Sequence, residues 1–107
     1  MANTQITMKD LYKKTAEIES TELILDVRSP DEYRAGHIPG SKNIPYEELG
    51  KHIEELRKYK TIYIHCQAGR RAEIARDTLE KKGFTNIACV MGSGMGEWIA
   101  SGFPVEK

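Results

Sequence analysis

The chain has 107 residues, with 16 Lys and Arg against 16 Asp and Glu and a formal net charge of zero. A chain of this length makes one domain around one modest core, so residues 1–107 are expected to fold as a single unit. A balanced charge argues against broad electrostatic binding to nucleic acid or to an acidic membrane surface, so any cationic site must be local.

Two cysteines, Cys66 and Cys89, are too few for a disulfide framework and lack C-x-x-C spacing. No stretch approaches the roughly 18 apolar residues that span a bilayer. The first residues lack the apolar core of a secretory signal. The expectation is a cytoplasmic protein with reduced thiols, with neither membrane nor nucleic acid as partner.

In chain order, a short extended piece at Gln5–Ile6 precedes a helix-like segment from Met8 to Ile18. "ELILDV", Glu22 to Val27, is brief, apolar and closed by charge, which predicts a buried strand. Ser29, Pro30 and Glu32 then spell a helix start, with an N-cap, a proline at the first position and a capping-box acid. A short extended piece at Lys42–Ile44 leads to a helix over Glu47 to Tyr59, with Leu49, Ile53 and Leu56 on one side. "TIYIH", Thr61 to His65, is a second main strand, and "NIACVM", Asn86 to Met91, a third. Between them Arg71 to Lys82 carries the stripe Ala72, Ala75 and Leu79, flanked by Ile74 and Thr78 and stopped by Gly83. A loop and a short helix around Glu97 to Ala100 end the pattern. Continuous rather than alternating apolar runs predict strands covered on both faces. Strand alternating with helix predicts an α/β fold: a central, mainly parallel sheet of about five strands, with helices on both faces.

Cys66 follows the last residue of the second main strand, and a helix begins four or five residues later. That places it outside the carboxyl end of a central strand, where open α/β sheets bind ligands. The helix N-terminus is partially positive and has N–H groups without intrahelical partners. Gly69 allows consecutive amides to curl round one centre. Arg70 and Arg71 add permanent charge. A lone cysteine usually packs. In this setting it is instead a candidate nucleophile in an anion-binding cup formed by Gln67, Ala68, Gly69, Arg70 and Arg71.

Three segments resemble the single-domain rhodaneses, a sulfurtransferase family. "ILDVRSPDEYRAGHIPGSKNIP" is similar to its N-terminal signature, "HCQAGRRA" to its six-residue active-site loop, and "GSGMGEWIASGFPV" to its C-terminal pattern. Ser93 stands where that pattern usually has a glycine. The resemblance implies that Cys66 takes a sulfane sulfur from a small anionic donor such as thiosulfate and holds it as a persulfide. A thiophilic acceptor, cyanide or a thiol, then receives it. It implies no metal and no organic cofactor. It leaves open a module that carries or senses persulfide with little thiosulfate turnover. A phosphatase loop has five residues between Cys and Arg. Here four separate Cys66 from Arg71, and Ala72 takes the required position.

The remaining polar residues are read as structural. Asp26 is expected to bond loop backbone, and Arg28 to pair with a carboxylate such as Glu32. His37 and His65 are expected to fix loops by hydrogen bonding. Cys89 and Trp98 are expected to pack. Gly92, Gly94 and Gly96 lack the Lys-Ser or Lys-Thr of a phosphate loop. Lys51, Glu54, Glu55, Arg57, Lys58 and Lys60 form a solvated face.

Overall fold

The computed structural model describes residues 3–107. Five strands, β1 (Thr4–Ile6), β2 (Glu22–Asp26), β3 (Lys42–Asn43), β4 (Thr61–His65) and β5 (Ile87–Val90), form one sheet in the order β1-β5-β4-β2-β3. Every pairing is parallel. The helices are α1 (Met8–Thr15), α2 (Pro30–Ala35), α3 (Ile53–Leu56), α4 (Arg70–Lys81) and α5 (Met95–Ala100), with a 3-10 turn over Tyr46–Lys51.

Strand side chains alternate between two cores, as the pleat requires. Leu23, Leu25, Ile62, Ile64, Ile87 and Cys89 face the side covered by Leu49, Leu56, Ala72, Ala75 and Leu79. Ile24, Tyr63, Ala88 and Val90 face the side covered by Met8, Leu11, Met95 and Trp98. Both faces are therefore roofed by helices, which explains why the strands read as unbroken apolar runs. Cys66 lies two residues beyond Ile64 and joins the core beneath α4.

Capping sets the helix starts. Thr7 and Asp10 form a capping box on α1, and Ser29 and Glu32 form the expected one on α2. α1 stops at Thr15, short of the expected Ile18, although Ile18 still packs on the core. The expected helix over Glu47 to Tyr59 is broken: a 3-10 turn and the four-residue α3 meet at His52, whose φ is −119°. Gly50 weakens the helix at that point. Leu49 and Leu56 are buried nonetheless. Trp98 is 1% exposed and its Nε1–H donates to the Pro104 carbonyl at 2.7 Å, pinning α5 to the segment that follows it.

Candidate active site

β4 occupies the middle of the sheet, and Cys66 is the first residue past its end. α4 begins at Arg70 with Gly69 as N-cap, and Gly69 has no side chain to cap it. The Cys66 sulfur takes that place. Sγ accepts from the Gly69 N–H at 3.0 Å and from the Ala72 N–H at 3.3 Å. These are the N-cap and third-residue donors that the sequence of a helix leaves open. Such donors favour a sulfur anion, because bonds to a charged acceptor are roughly twice as strong as neutral ones. Sequence reasoning placed the amide cup at Gln67 to Arg71 and missed Ala72, whose N–H is the third-residue donor once the helix is known to start at Arg70.

The loop is held from outside by the segment after β5. The Met95 N–H donates to the Cys66 carbonyl at 2.9 Å and the Gly96 N–H to that of Gln67 at 3.3 Å. This requires glycine at 94: a Cβ there would lie 2.1 Å from the Cys66 carbonyl oxygen and 2.6 Å from the Gln67 carbonyl carbon. Gly69 has φ +116°, and a Cβ on it would lie 2.6 Å from the Gly92 nitrogen. Ser93 replaces a glycine of the pattern without strain, since the only positive φ values among the described residues belong to glycines. Its hydroxyl donates to Glu97. The cup closes tightly on the sulfur, and Cys66 is 1% exposed.

Two arginines near the loop have partners that the sequence did not reveal. Arg71 makes a bidentate pair with Glu32, Nη1 at 2.6 Å and Nη2 at 2.9 Å. This pair holds the Glu32 carboxyl down at about 2, with further help from Ser29. Arg28 does not pair with Glu32. It lies against Asp26 through Nε at 3.0 Å and Nη2 at 2.8 Å, and also donates to the Gly36 carbonyl at 2.8 Å and to Gln67 Oε1 at 3.2 Å. Asp26 is fully buried and Arg28 nearly so, making a fixed strut under the loop. Arg70 is exposed and has no ion-pair partner among the described residues.

The histidines divide. His37 stacks on Tyr33 and its Nδ1 lies 2.8 Å from the Tyr33 carbonyl, fixing the loop as expected. His65 does not: it is fully buried, both ring nitrogens lack hydrogen-bond partners, and Nε2 is 4.0 Å from Asp26. Burial pushes its pKa down, against the opposing pull of Asp26. Cys89 is buried, donates to the Ala72 carbonyl at 3.5 Å, and has its thiol pushed up to about 12 by burial. It is a packed thiol. No cluster of three or more metal-ligating side chains occurs among the described residues.

The rhodanese-like domain family matches residues 7–101. The chain belongs to that family. The putative sulfur carrier protein YrkF of Bacillus subtilis is 39% identical over 89 residues, covering 83% of this chain and 48% of that one. The thiosulfate sulfurtransferase PspE of Escherichia coli is 34% identical over 65 residues, covering 59% of this chain and 62% of its own length. This rhodanese-like chain thus spans about half to three-fifths of the length of these two relatives. A rhodanese-related structure from Thermoplasma volcanium superposes with a TM-score of 0.81 at 35% identity, covering 96% and 97% of the two chains. No helix of this rhodanese-like fold is long and apolar enough to cross a membrane among the described residues.

Proposed function

We propose that this rhodanese-like domain transfers sulfane sulfur through a persulfide on Cys66. The observation that carries the reading is the pair of N–H groups, from Gly69 and Ala72, directed at Cys66 Sγ. The thiolate attacks the outer sulfur of thiosulfate. A new sulfur–sulfur bond forms, the bond to the sulfonate sulfur breaks, and sulfite leaves with the electron pair. Both enzyme forms carry an anionic sulfur in the same cup, so no separate general base is needed.

The arginines take different parts. Arg71, committed to Glu32, ties the start of α4 to α2 and sets the loop. Arg70, exposed at the mouth, draws the donor anion in. Gln67, Ala68 and Gly69 supply the backbone of the cup. The domain acts without a resident metal or cofactor, and its place of action is the cytoplasm. A carrier role is the second reading, favoured by the likeness to YrkF. In it the persulfide arrives from a partner protein and thiosulfate turnover is slight.

Intact-protein mass spectrometry after thiosulfate treatment tests the proposal. Wild type should gain one sulfur atom, mapped to Cys66, while Cys66→Ser gains none and keeps its fold. Failure of wild type to gain sulfur from thiosulfate or any other sulfane donor would overturn it. Loading from a cysteine desulfurase, with thiosulfate:cyanide turnover at background, would favour the carrier.

A further inference from the structure

Among the described residues, His65 is the one buried side chain whose polar atoms have no hydrogen-bond partner, and it immediately precedes Cys66. An unpaired buried donor and acceptor cost free energy that an apolar side chain of similar size would not. Such a group calls for a reason other than packing. Its surroundings supply one. Asp26 on β2 lies beside His65 in the strand register, and both side chains point to the face roofed by α1 and α5. The residues covering that face, Met8, Leu11, Ile38, Val90, Met95 and Trp98, carry no charge. The charged groups acting on the ring are Asp26 and Arg28. His65 Nε2 stands 4.0 Å from Asp26 Oδ2, beyond hydrogen-bond range but within a small rotation of it. Asp26 already has a cation. Arg28 grips it through Nε at 3.0 Å and Nη2 at 2.8 Å, and carries the constraint to Gln67 Oε1 through Nη1 at 3.2 Å. Gln67 is the residue after Cys66. A neutral ring leaves this chain of bonds intact. A charged ring sets two buried cations on one carboxylate, and one of the two positive charges goes uncompensated.

We propose that His65 is a positioning residue for sulfur transfer: neutral, it leaves Asp26 to Arg28 and keeps the Cys66 loop set, and on taking a proton it draws Asp26 Oδ2 from Arg28 and lets the loop go. The inference rests on the Cys66 persulfide reading and adds a regulation to that site, a transfer that closes in acid. Burial pushes proton uptake by the ring below its ordinary 6.5, with Asp26 pulling it up and Arg28 pushing it further down. The switch therefore works on the acid side of that value. The proton comes from solvent to the unprotonated ring nitrogen, and the bonds made and broken at sulfur are unchanged.

The test compares the full chain with His65→Gln and His65→Phe, neither of which can take up a proton. Single-turnover persulfide formation from thiosulfate is followed by intact mass from about pH 8 to about pH 5, the range over which histidine changes charge. Thiosulfate stays a dianion throughout, and the Cys66 thiol adds its own proton dependence to all three proteins. Wild type should show a log-rate profile one proton steeper on the acid side than either variant. Each pH unit below the His65 midpoint then widens the gap about tenfold. Profiles in both variants parallel to that of wild type overturn the inference while leaving the persulfide intact, whatever the absolute rates. NMR of wild type alone follows the His65 ring and the Arg28 Nε–H over the same range, which decides the question even where neither variant folds. The two signals should move at one midpoint. A ring that never titrates, or one that titrates while Arg28 stays fixed, overturns the inference. Wild type that loads no sulfur from any donor at pH about 8 removes the persulfide reading and this inference together.

Discussion

At Cys66 a sulfur does the work of a helix cap. Most helices begin with a side-chain oxygen accepting from the second or third residue's N–H, and here Gly69 supplies none. The proposed nucleophile and the cap are therefore the same atom. Its neighbours differ in kind although the sequence writes them alike. Arg71 is paired and partly buried, while Arg70 is exposed and unpaired among the described residues. Arg70→Ala should raise the thiosulfate KM several-fold, with the effect shrinking as salt rises, because screening removes an exposed charge's attraction. Arg71→Ala should instead lower kcat and thermal stability together, since it frees Glu32 and loosens the loop. Steady-state kinetics of the two single variants at low and high salt separate the roles. Equal KM effects from both would refute the division. The adjacency of two arginines was legible in the sequence, but Glu32 stands 39 positions from Arg71, so no local pattern could assign the partner. Arg28 differs: its expected partner was Glu32, yet Asp26, two residues away on the same strand end, satisfies it.

Among the elements, the segment joining β5 to α5 matters most to the site because it bonds the Cys66 and Gln67 carbonyls. The contact is backbone to backbone, which leaves no room for a methyl group at Gly94. Gly94→Ala is expected to destabilise the fold by about 1–3 kcal/mol, the usual range for overpacking. It should also cut the rate of persulfide formation by more than tenfold through displacement of the loop. Denaturant melts and single-turnover mass spectrometry measure the two effects. Wild-type values in both would show that the segment yields freely. Sequence reasoning located this glycine in a recognisable pattern and did not foresee its function, since a missing side chain gives no sign of what passes close by. It also ran the third helix unbroken across Gly50, where the chain turns between two short pieces.

Across the molecule, the Glu32–Arg71 pair joins α2 to α4 and couples the loop to overall stability. Glu32 titrates at about 2 in the folded chain against an ordinary value of 4.5. A carboxyl with a depressed folded value contributes stability above its unfolded value, and that contribution is lost as pH falls from about 4.5 towards 2. The pair is a third exposed, so solvent screening limits it to about 1 kcal/mol. Glu32→Gln keeps the capping acceptor and removes the charge. Its Tm should lie about 4–8 °C below wild type at pH 7, as a loss of this size gives in a domain this small. The gap should close as pH approaches 2. Calorimetry across that range checks it, and a gap that stays constant with pH would refute the linkage. The sequence by itself determined the fold class, the three main strands, α4 and the placing of Cys66 and Gly69 between β4 and α4. All are encoded over a few consecutive residues by apolar period, turn chemistry and capping. Tertiary structure alone decided which arginine is paired, why Gly94 is required and how deep Cys66 sits. Those depend on residues far apart in the chain, brought together when the two cores close around the sheet.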